Sequence, residues 1–203
     1  MLYGCTKRFF DVLAAGCGLV AAAPLLAVAA GAAWAAGLRP VLFRQRRIGR
    51  RAEAFTLVKL RTLTDARDPA TGRLRPDAER RHPVGDWLRR THLDELPQLW
   101  LVLTGRMSLV GPRPLLPEYL PRYTAAQRTR HRVRPGLTGW AQVHGGNALP
   151  WERRLALDAW YAAHASWALD GRILWRTARQ LLNGGRRGAA SAPADEFLGQ
   201  NHR

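Results

Sequence analysis

Apolar and polar residues divide the chain into a long uncharged segment near its start and a longer polar region after it. No charged residue occurs from Val12 to Leu38. As one continuous helix this stretch would be about 40 Å long, enough to cross a hydrocarbon core of about 30 Å. The pattern therefore predicts that residues 1–38 form a membrane-associated segment.

Three arrangements fit this segment: a spanning helix, a re-entrant helix-hairpin within one leaflet, and a cleaved signal peptide. Basic residues flank it from Lys7 and from Arg39, and the positive-inside rule places both flanks on the cytoplasmic side. Pro24 lies near the middle, where a proline kinks a helix and leaves two halves of about 20 Å. The run is too long for a typical signal peptide. The spanning and re-entrant helices both remain open, and both attach the chain to a membrane.

The polar region contains strand-like and helical stretches. Alternating residues around Phe55 and Leu57 predict short strands within residues 39–63, with a turn at residues 48–50. Residues 64–81 are polar and rich in turn formers, and residues 133–147 are punctuated by glycine, so both predict loops. Helical periodicity returns over residues 87–103 and 151–182.

The second helical stretch carries two opposed stripes near its end. Apolar side chains form one stripe and arginines the other: Leu174, Ala178 and Leu181 against Arg172, Arg176 and Arg179. A helix lying in an anionic membrane interface has this pattern. An ordinary surface helix on a soluble core has it too, so both interpretations stay open.

Charge and cysteine content narrow the classes of partner. Lys and Arg number 32 against 15 Asp and Glu, a net charge of +17, which predicts an anionic partner such as nucleic acid, an acidic membrane or a phosphorylated substrate. Cys5 and Cys17 provide neither a disulfide framework nor a metal-binding spacing. The glycine-rich phosphate loops GxxxxGK and GxGxxG are absent from the sequence, so a bound nucleotide would be held by other means.

An acidic pair, Asp94 and Glu95, opens the segment LDELPQL (93–99). Proline is tolerated in a first helical turn, so Pro97 predicts that a helix begins near Asp94, with Asp94 as N-cap. The expected buried face comprises Leu96, Leu99, Trp100 and Leu103. The helix dipole there favours ionised carboxylates and attracts phosphate. Acidic residues are also common in the first turn of helices that have no functional site.

Cationic residues near this pair give it a functional interpretation. Arg89 precedes it, and Arg113 is fixed between two prolines in GPRP, where its guanidinium suits phosphate oxygens. Lys59 and Arg61 are two residues apart, so they point from one face of a strand. Carboxylates among cations suit phosphoryl chemistry, although each cation alone could be a solvated or lipid-facing charge.

These residues belong to motifs that resemble the bacterial sugar transferases, the small monotopic phosphoglycosyl transferases. The resemblance covers roughly residues 4–182 in order. Its motifs are KRFFD (7–11), Pro24 in the apolar run, FRQRRIG (43–49), KLRT (59–62), LDELPQL (93–99), MSLVGPRPLLPEY (107–119), RPGLTGWAQV (134–143), and a C-terminal pattern through Asp158, Tyr161, Ser166 and Asp170.

The resemblance implies an α+β, mainly helical fold. Residues 1–38 would be a re-entrant membrane helix-hairpin broken near Pro24, and residues 39–183 a small cytoplasmic catalytic domain with interfacial amphipathic helices. Residues 184–203 lie beyond the resemblance, and their Gly-, Ala- and Arg-rich composition predicts a disordered tail. The active site would face the cytoplasm at the bacterial inner membrane, near anionic lipids.

The resemblance also implies a reaction. Asp94 would attack a UDP-sugar, take up the sugar phosphate and release UMP; undecaprenyl phosphate would then attack this intermediate in a ping-pong course. Asp94 and Glu95 would hold Mg²⁺, with Glu95 assisting in metal or proton handling. Arg113 would hold phosphate. The cations found from charge and spacing, Lys59, Arg61 and Arg89, are the other candidate phosphate-binding residues. No nucleic-acid partner is expected, and homodimer formation is left open.

The chain departs from the family pattern at four positions: His92, Leu101, Arg106 and Gly146. Relatives often have Ser or Thr, Asn, an acidic residue and arginine there, respectively. The last departure affects expected donor contacts, which keeps an inactive relative as an alternative. The other alternative is a non-catalytic membrane-anchored protein that binds anionic lipid or nucleic acid through its basic face.

Overall fold

A computed structural model describes residues 2–183, which form a mainly helical fold with two small sheets. The tail expected at residues 184–203 lies outside this range. The helices are α1 (Leu2–Ala35), α2 (Pro83–Thr91), α3 (Leu99–Leu103), α4 (Ala125–Arg128), α5 (Trp140–Val143), α6 (Trp151–His164) and α7 (Trp167–Leu182). The strands are β1 (Leu42–Ile48), β2 (Ala54–Leu60), β3 (Ser108–Val110) and β4 (Gly136–Thr138). The α+β, mainly helical prediction is confirmed.

The strands predicted from alternation form an antiparallel hairpin. β1 pairs with β2, Phe55 and Leu57 are buried, and a short 3-10 turn at Arg50–Ala52 joins the strands. The second sheet, a parallel pair of β3 and β4, lies partly in the predicted loop at residues 133–147. A Cβ at Gly136 would overlap the backbone of Gly111, so glycine permits this close approach.

Helix α1 is one continuous helix of 34 residues with Pro24 inside it. The predicted interruption of the helix at Pro24 is not observed, because α1 continues through the proline. A proline removes only its own donor, and a long helix commonly accommodates it with a bend. It is also the one helix within residues 2–183 that is long and apolar enough to cross a membrane, by length and composition. The re-entrant arrangement stays a prediction.

One stripe of α1 packs on the domain along most of the helix. Asp11, Ala15, Ala29 and Ala33 are buried, and residues 11 and 29 are separated by five helical turns, so they share a face. Both halves of α1 thus contact the same domain. Most large apolar side chains on the rest of α1 are exposed to the surroundings: Phe9, Phe10, Leu13, Val20, Leu25, Val28 and Trp34.

Helix α7 also leaves an apolar face uncovered. Leu169 and Ile173 pack on the core, whereas the predicted apolar stripe of Leu174, Ala178 and Leu181 is exposed. Trp175, beside this stripe, is 70% exposed. An ordinary surface helix buries its apolar stripe, so this exposure favours the interpretation of α7 as an interfacial membrane helix.

Candidate active site

The acidic pair lies in a 3-10 turn, Leu93–Gln98, which leads directly into the short helix α3. Leu93 anchors the turn in a core formed with α1, α2 and β2. The predicted α-helix starting at Asp94 is wrong: no side-chain cap forms, and Pro97 lies inside the turn. A 3-10 turn has three residues per revolution, which shifts the faces that follow. Trp100, expected to be buried, is 61% exposed for this reason.

Asp94 is a buried carboxylate without a charged partner in direct contact. It is 5% exposed, and none of the ion pairs within residues 2–183 includes it. Burial, and then the charge of Glu95, raises the pKa of Asp94 to about 6, against the opposing charges of Lys59, Arg89 and His92. Its oxygens are therefore not committed to another side chain.

Glu95 differs from its neighbour because Arg113 contacts it. Arg113 Nη2 donates to Glu95 Oε1 at 2.7 Å. Burial raises the pKa of Glu95, but the charge and hydrogen bond of Arg113 outweigh burial and the pKa is lowered. The pKa values of two adjacent carboxylates are thus shifted in opposite directions. In enzymes with paired acids, such a difference allows the two groups to take different roles.

Arg113 is fixed through its backbone as well as by the flanking prolines. Arg130 Nη2 donates to the carbonyl oxygen of Arg113 and to Asp158 Oδ2, each at 2.7 Å. Arg130 and Asp158 are both buried, so this ion pair is shielded from solvent. The backbone is thereby held while the Arg113 side chain, 44% exposed, remains accessible.

Two of the other predicted cations join this site. Lys59 on β2 is one of the charges acting on Asp94. Burial lowers the pKa of Lys59, partly offset by Asp94. Arg89, in the last turn of α2, also acts on Asp94 and donates its Nε to Thr62 Oγ1 at 2.8 Å.

Arg61 is placed differently from the other predicted phosphate ligands. It follows the end of β2 and donates its Nε to the carbonyl oxygen of Pro40 at 2.9 Å. Arg61 is not among the charges with the largest effects on the pKa of Asp94 or of Glu95. The two-residue spacing from Lys59 predicted a common face only if the strand continued, and the strand ends at Leu60.

The carboxylates offer a limited set of metal ligands. Between residues 2 and 183 there is no group of three or more His, Cys, Asp or Glu side chains placed to hold a metal. Mg²⁺ is commonly bound by one or two carboxylates together with substrate phosphates. Asp94 and Glu95 fit that arrangement, since Asp94 has no ion-pair partner among residues 2–183 and Glu95 uses one oxygen for Arg113.

Three of the four departures from the expected family pattern have a defined structural setting. His92 ends α2 in a left-handed conformation, with φ 57, and its side chain is exposed rather than packed. Gly146 is buried with φ 54, so an arginine there would be strained. Leu101 belongs to the buried core beside Met107.

A second polar cluster, not predicted from the residues, joins the ends of the domain. Asp170 at the start of α7 accepts from Lys7 Nζ at 2.6 Å, Tyr3 OH at 2.8 Å and Tyr161 OH at 2.7 Å. Asp170 and Lys7 lie within the quoted motifs, but their separation of 163 residues gives no local signal of pairing. This cluster fastens the start of α1 to α7.

A buried carboxylate among cations, on a domain with exposed apolar helix faces, fits a membrane-associated enzyme that acts on phosphorylated substrates. The family model of the bacterial sugar transferases matches residues 2–184. This match covers most of the 203 residues, and the chain belongs to the bacterial sugar transferase family.

Individual relatives agree with this assignment. The uncharacterized sugar transferase EpsL of Bacillus subtilis (strain 168) is 52% identical over 143 residues, which cover 70% of each chain. The undecaprenyl-phosphate glucose phosphotransferase of Komagataeibacter xylinus is 41% identical over 194 residues, covering 86% of this chain and 35% of that protein. The exopolysaccharide production protein ExoY of Sinorhizobium fredii (strain NBRC 101917 / NGR234) is 36% identical over 190 residues, covering 86% and 84%.

Proposed function

We propose that this chain transfers a sugar 1-phosphate from a UDP-sugar to undecaprenyl phosphate and releases UMP, the first membrane step of glycan assembly. The observation that carries the proposal is the buried Asp94 carboxylate, which has no ion-pair partner in the described part of the chain and lies among Lys59, Arg89 and the Arg113–Glu95 pair. Family membership and the name of the K. xylinus relative support the reaction class.

The first half-reaction forms a phospho-sugar aspartate. An Asp94 oxygen attacks the phosphorus that carries the sugar, an Asp–O–P bond forms, and the P–O bond to UMP breaks. A carboxylate is a weak nucleophile, so the phosphorus needs its surrounding negative charge neutralised. Lys59, Arg89 and Arg113 supply positive charge around that position.

The second half-reaction returns the enzyme to its starting state. A phosphate oxygen of undecaprenyl phosphate attacks the same phosphorus, and the bond to Asp94 breaks. The product is a sugar linked to the lipid through a diphosphate, and Asp94 leaves as a free carboxylate. An acyl phosphate is reactive enough for this step, which gives the ping-pong order.

Asp94 and Glu95 would hold Mg²⁺ together with the diphosphate of the donor. The ion would supply further neutralisation of phosphate charge when bound. Glu95 stays ionised beside Arg113, so it keeps one carboxylate oxygen for this purpose. Arg113 is placed to bind phosphate because its backbone is fixed and its side chain is accessible.

The packing of α1 supports a re-entrant arrangement in which Pro24 bends the continuous helix rather than ending it. A helix crossing the bilayer would carry one half away from the domain, yet Asp11 and Ala33 both pack on it. We therefore place α1 re-entrant in the cytoplasmic leaflet of the bacterial inner membrane, with the exposed side of α7 in the interface. Arg172 and Arg179, which are exposed on α7, would contact anionic lipids.

The reaction is tested by UMP release from a panel of UDP-sugars, with Mg²⁺, undecaprenyl phosphate and detergent-solubilised protein. Wild type should release UMP from at least one donor, and Asp94→Asn should release none. Asp86→Asn is the matched control, because Asp86 pairs with Arg81 near the surface and should leave the rate unchanged. If every donor fails, the chain is an inactive relative or a membrane-anchored binding protein. In the latter case Asp94→Asn would leave binding to anionic vesicles unchanged or increase it.

A further inference from the structure

We infer that Thr62 is the positioning residue for Arg89, and thereby for the phosphate that Arg89 binds; the inference rests on the proposed function. Thr62 is 4% exposed and lies two residues beyond the end of β2. Its hydroxyl oxygen accepts the hydrogen bond from Arg89 Nε at 2.8 Å. Nothing in the reaction chemistry otherwise requires a threonine at this place.

Helix α2 approaches Thr62 unusually closely. A Cβ at Gly85 would overlap the backbone carbonyl of Thr62, so only glycine permits this packing. Gly85 and Arg89 are four residues apart and share a face of α2. Helical side chains lean towards the N-terminus of their helix, which brings Arg89 back over the point where Gly85 meets Thr62.

The bond uses only one part of the guanidinium. Within residues 2–183 the Nε–H of Arg89 is the group that is bound, and both Nη atoms have no hydrogen-bond partner there. Holding Nε fixes the plane of the fork while four N–H groups stay free. This arrangement suits a phosphate group, for which a planar fork gives two parallel hydrogen bonds.

The same strand end supplies a second cation to the site. Lys59 lies three residues before Thr62, and both Lys59 and Arg89 act on the charge of Asp94. Strand β2 therefore sets the position of one cation directly through Lys59. The segment just after the strand sets the position of the other through the hydroxyl of Thr62. A loss of that hydroxyl should free Arg89 without altering Lys59.

The test is a double-mutant cycle on UDP binding, measured by titration calorimetry on the full chain in detergent with Mg²⁺. Thr62→Val keeps the shape but removes the acceptor, and it should weaken UDP binding about tenfold. Thr62→Ser should bind as the wild type does. Arg89→Gln should reduce UDP affinity at least as much as Thr62→Val does. The double variant should have no lower affinity than Arg89→Gln alone. Thermal unfolding of each variant identifies misfolding, and Thr62→Ala replaces Thr62→Val if the latter fails to fold.

The inference would be overturned if the losses in UDP-binding free energy of the two single variants added up in the double variant. Unchanged UDP binding in Thr62→Val and Thr62→Ala would overturn it too. Wild-type protein that does not bind UDP would overturn it as well, because Arg89 would then have no diphosphate to hold. UDP binding with the expected cycle, but no UMP release from any donor, would defeat the proposed function alone. UMP release by the variants adds a kinetic measure, in which Thr62→Ser should restore the rate lost in Thr62→Val.

Discussion

Arg113 Nη2 lies 2.7 Å from Glu95 Oε1, and the adjacent, buried Asp94 carboxylate forms no ion pair with any residue between 2 and 183. The contact of one arginine with only one of the two acids thus contributes to the difference between their pKa values. Glu95 is held ionised, whereas the pKa of Asp94 is raised to about 6 by burial and by the charge of Glu95. The chemical difference between two neighbouring carboxylates comes from which of them the guanidinium reaches.

The first prediction concerns the charges that set the pKa of Asp94. Glu95→Gln should lower that pKa, because a neighbouring negative charge is removed, and Lys59→Met should raise it. Isotope-edited infrared titration in EDTA would measure both, with Asp94→Asn subtracted to isolate the carboxylate. Arg61→Met is the control and should leave the pKa unchanged. Shifts of the same sign in Glu95→Gln and Lys59→Met would contradict the site geometry.

The raised pKa also predicts a stability effect. Between pH 3.8 and about 6 the folded protein keeps a proton on Asp94 that the unfolded chain releases, so this group's contribution to stability falls as pH rises through that range. Asp94→Asn removes the free-energy cost of ionising this buried carboxylate. At pH 7.5 the substitution should therefore increase the unfolding free energy by up to about 3 kcal/mol. At pH 4 the two proteins should be nearly equal. Denaturant unfolding in EDTA measures the difference, and an asparagine variant less stable than wild type at pH 7.5 would refute the prediction.

The Lys7–Asp170 pair predicts how α1 is fastened to the domain. Lys7→Met leaves the buried carboxylate of Asp170 with its tyrosine donors but no cation, and should cost about 3 kcal/mol. Arg75→Met breaks the half-exposed Arg75–Glu79 pair and should cost less than about 1 kcal/mol. Thermal unfolding of both variants gives the comparison. Equal losses of stability in the two variants would mean that the buried Lys7–Asp170 pair does not hold α1 on the domain.

The uncovered face of α7 predicts its position in the membrane. In a Cys5→Ser, Cys17→Ser background, spin labels at Leu174→Cys and Ala178→Cys should be more accessible to oxygen than to a water-soluble nickel complex in anionic vesicles. Asp65→Cys, on an exposed loop, should show the reverse. Aqueous accessibility at positions 174 and 178 would place this face in solvent and leave its exposure unexplained.

Local patterns in the sequence were sufficient for several elements. Alternation around Phe55 and Leu57 predicted the hairpin because one face of it is buried. The stripe of Leu174, Ala178 and Leu181 was found from helical spacing alone. Proline on both sides of Arg113 indicated a fixed backbone, and the structure adds that Arg130 holds it.

Features that depend on distant contacts were not predictable from the residues. Strands β3 and β4 have three residues each and form where Gly111 and Gly136 approach each other, too short for any periodic signal. Trp100 was misplaced because a 3-10 turn precedes α3. The partnership of Thr62 with Arg89 joins residues 27 positions apart, and only the folded chain brings them together.

The covalent intermediate on Asp94 is tested most directly without the lipid acceptor. A UDP-sugar that carries ³²P in the phosphate next to the sugar would be incubated with Mg²⁺ and protein, then quenched in denaturant. The label should stay on wild-type protein with about one UMP released per labelled chain, and hydroxylamine should remove it as expected for an acyl phosphate. Asp94→Asn should carry no label. Label retained by Asp94→Asn, or UMP release that occurs only after undecaprenyl phosphate is added, would contradict Asp94 as the nucleophile of a ping-pong reaction.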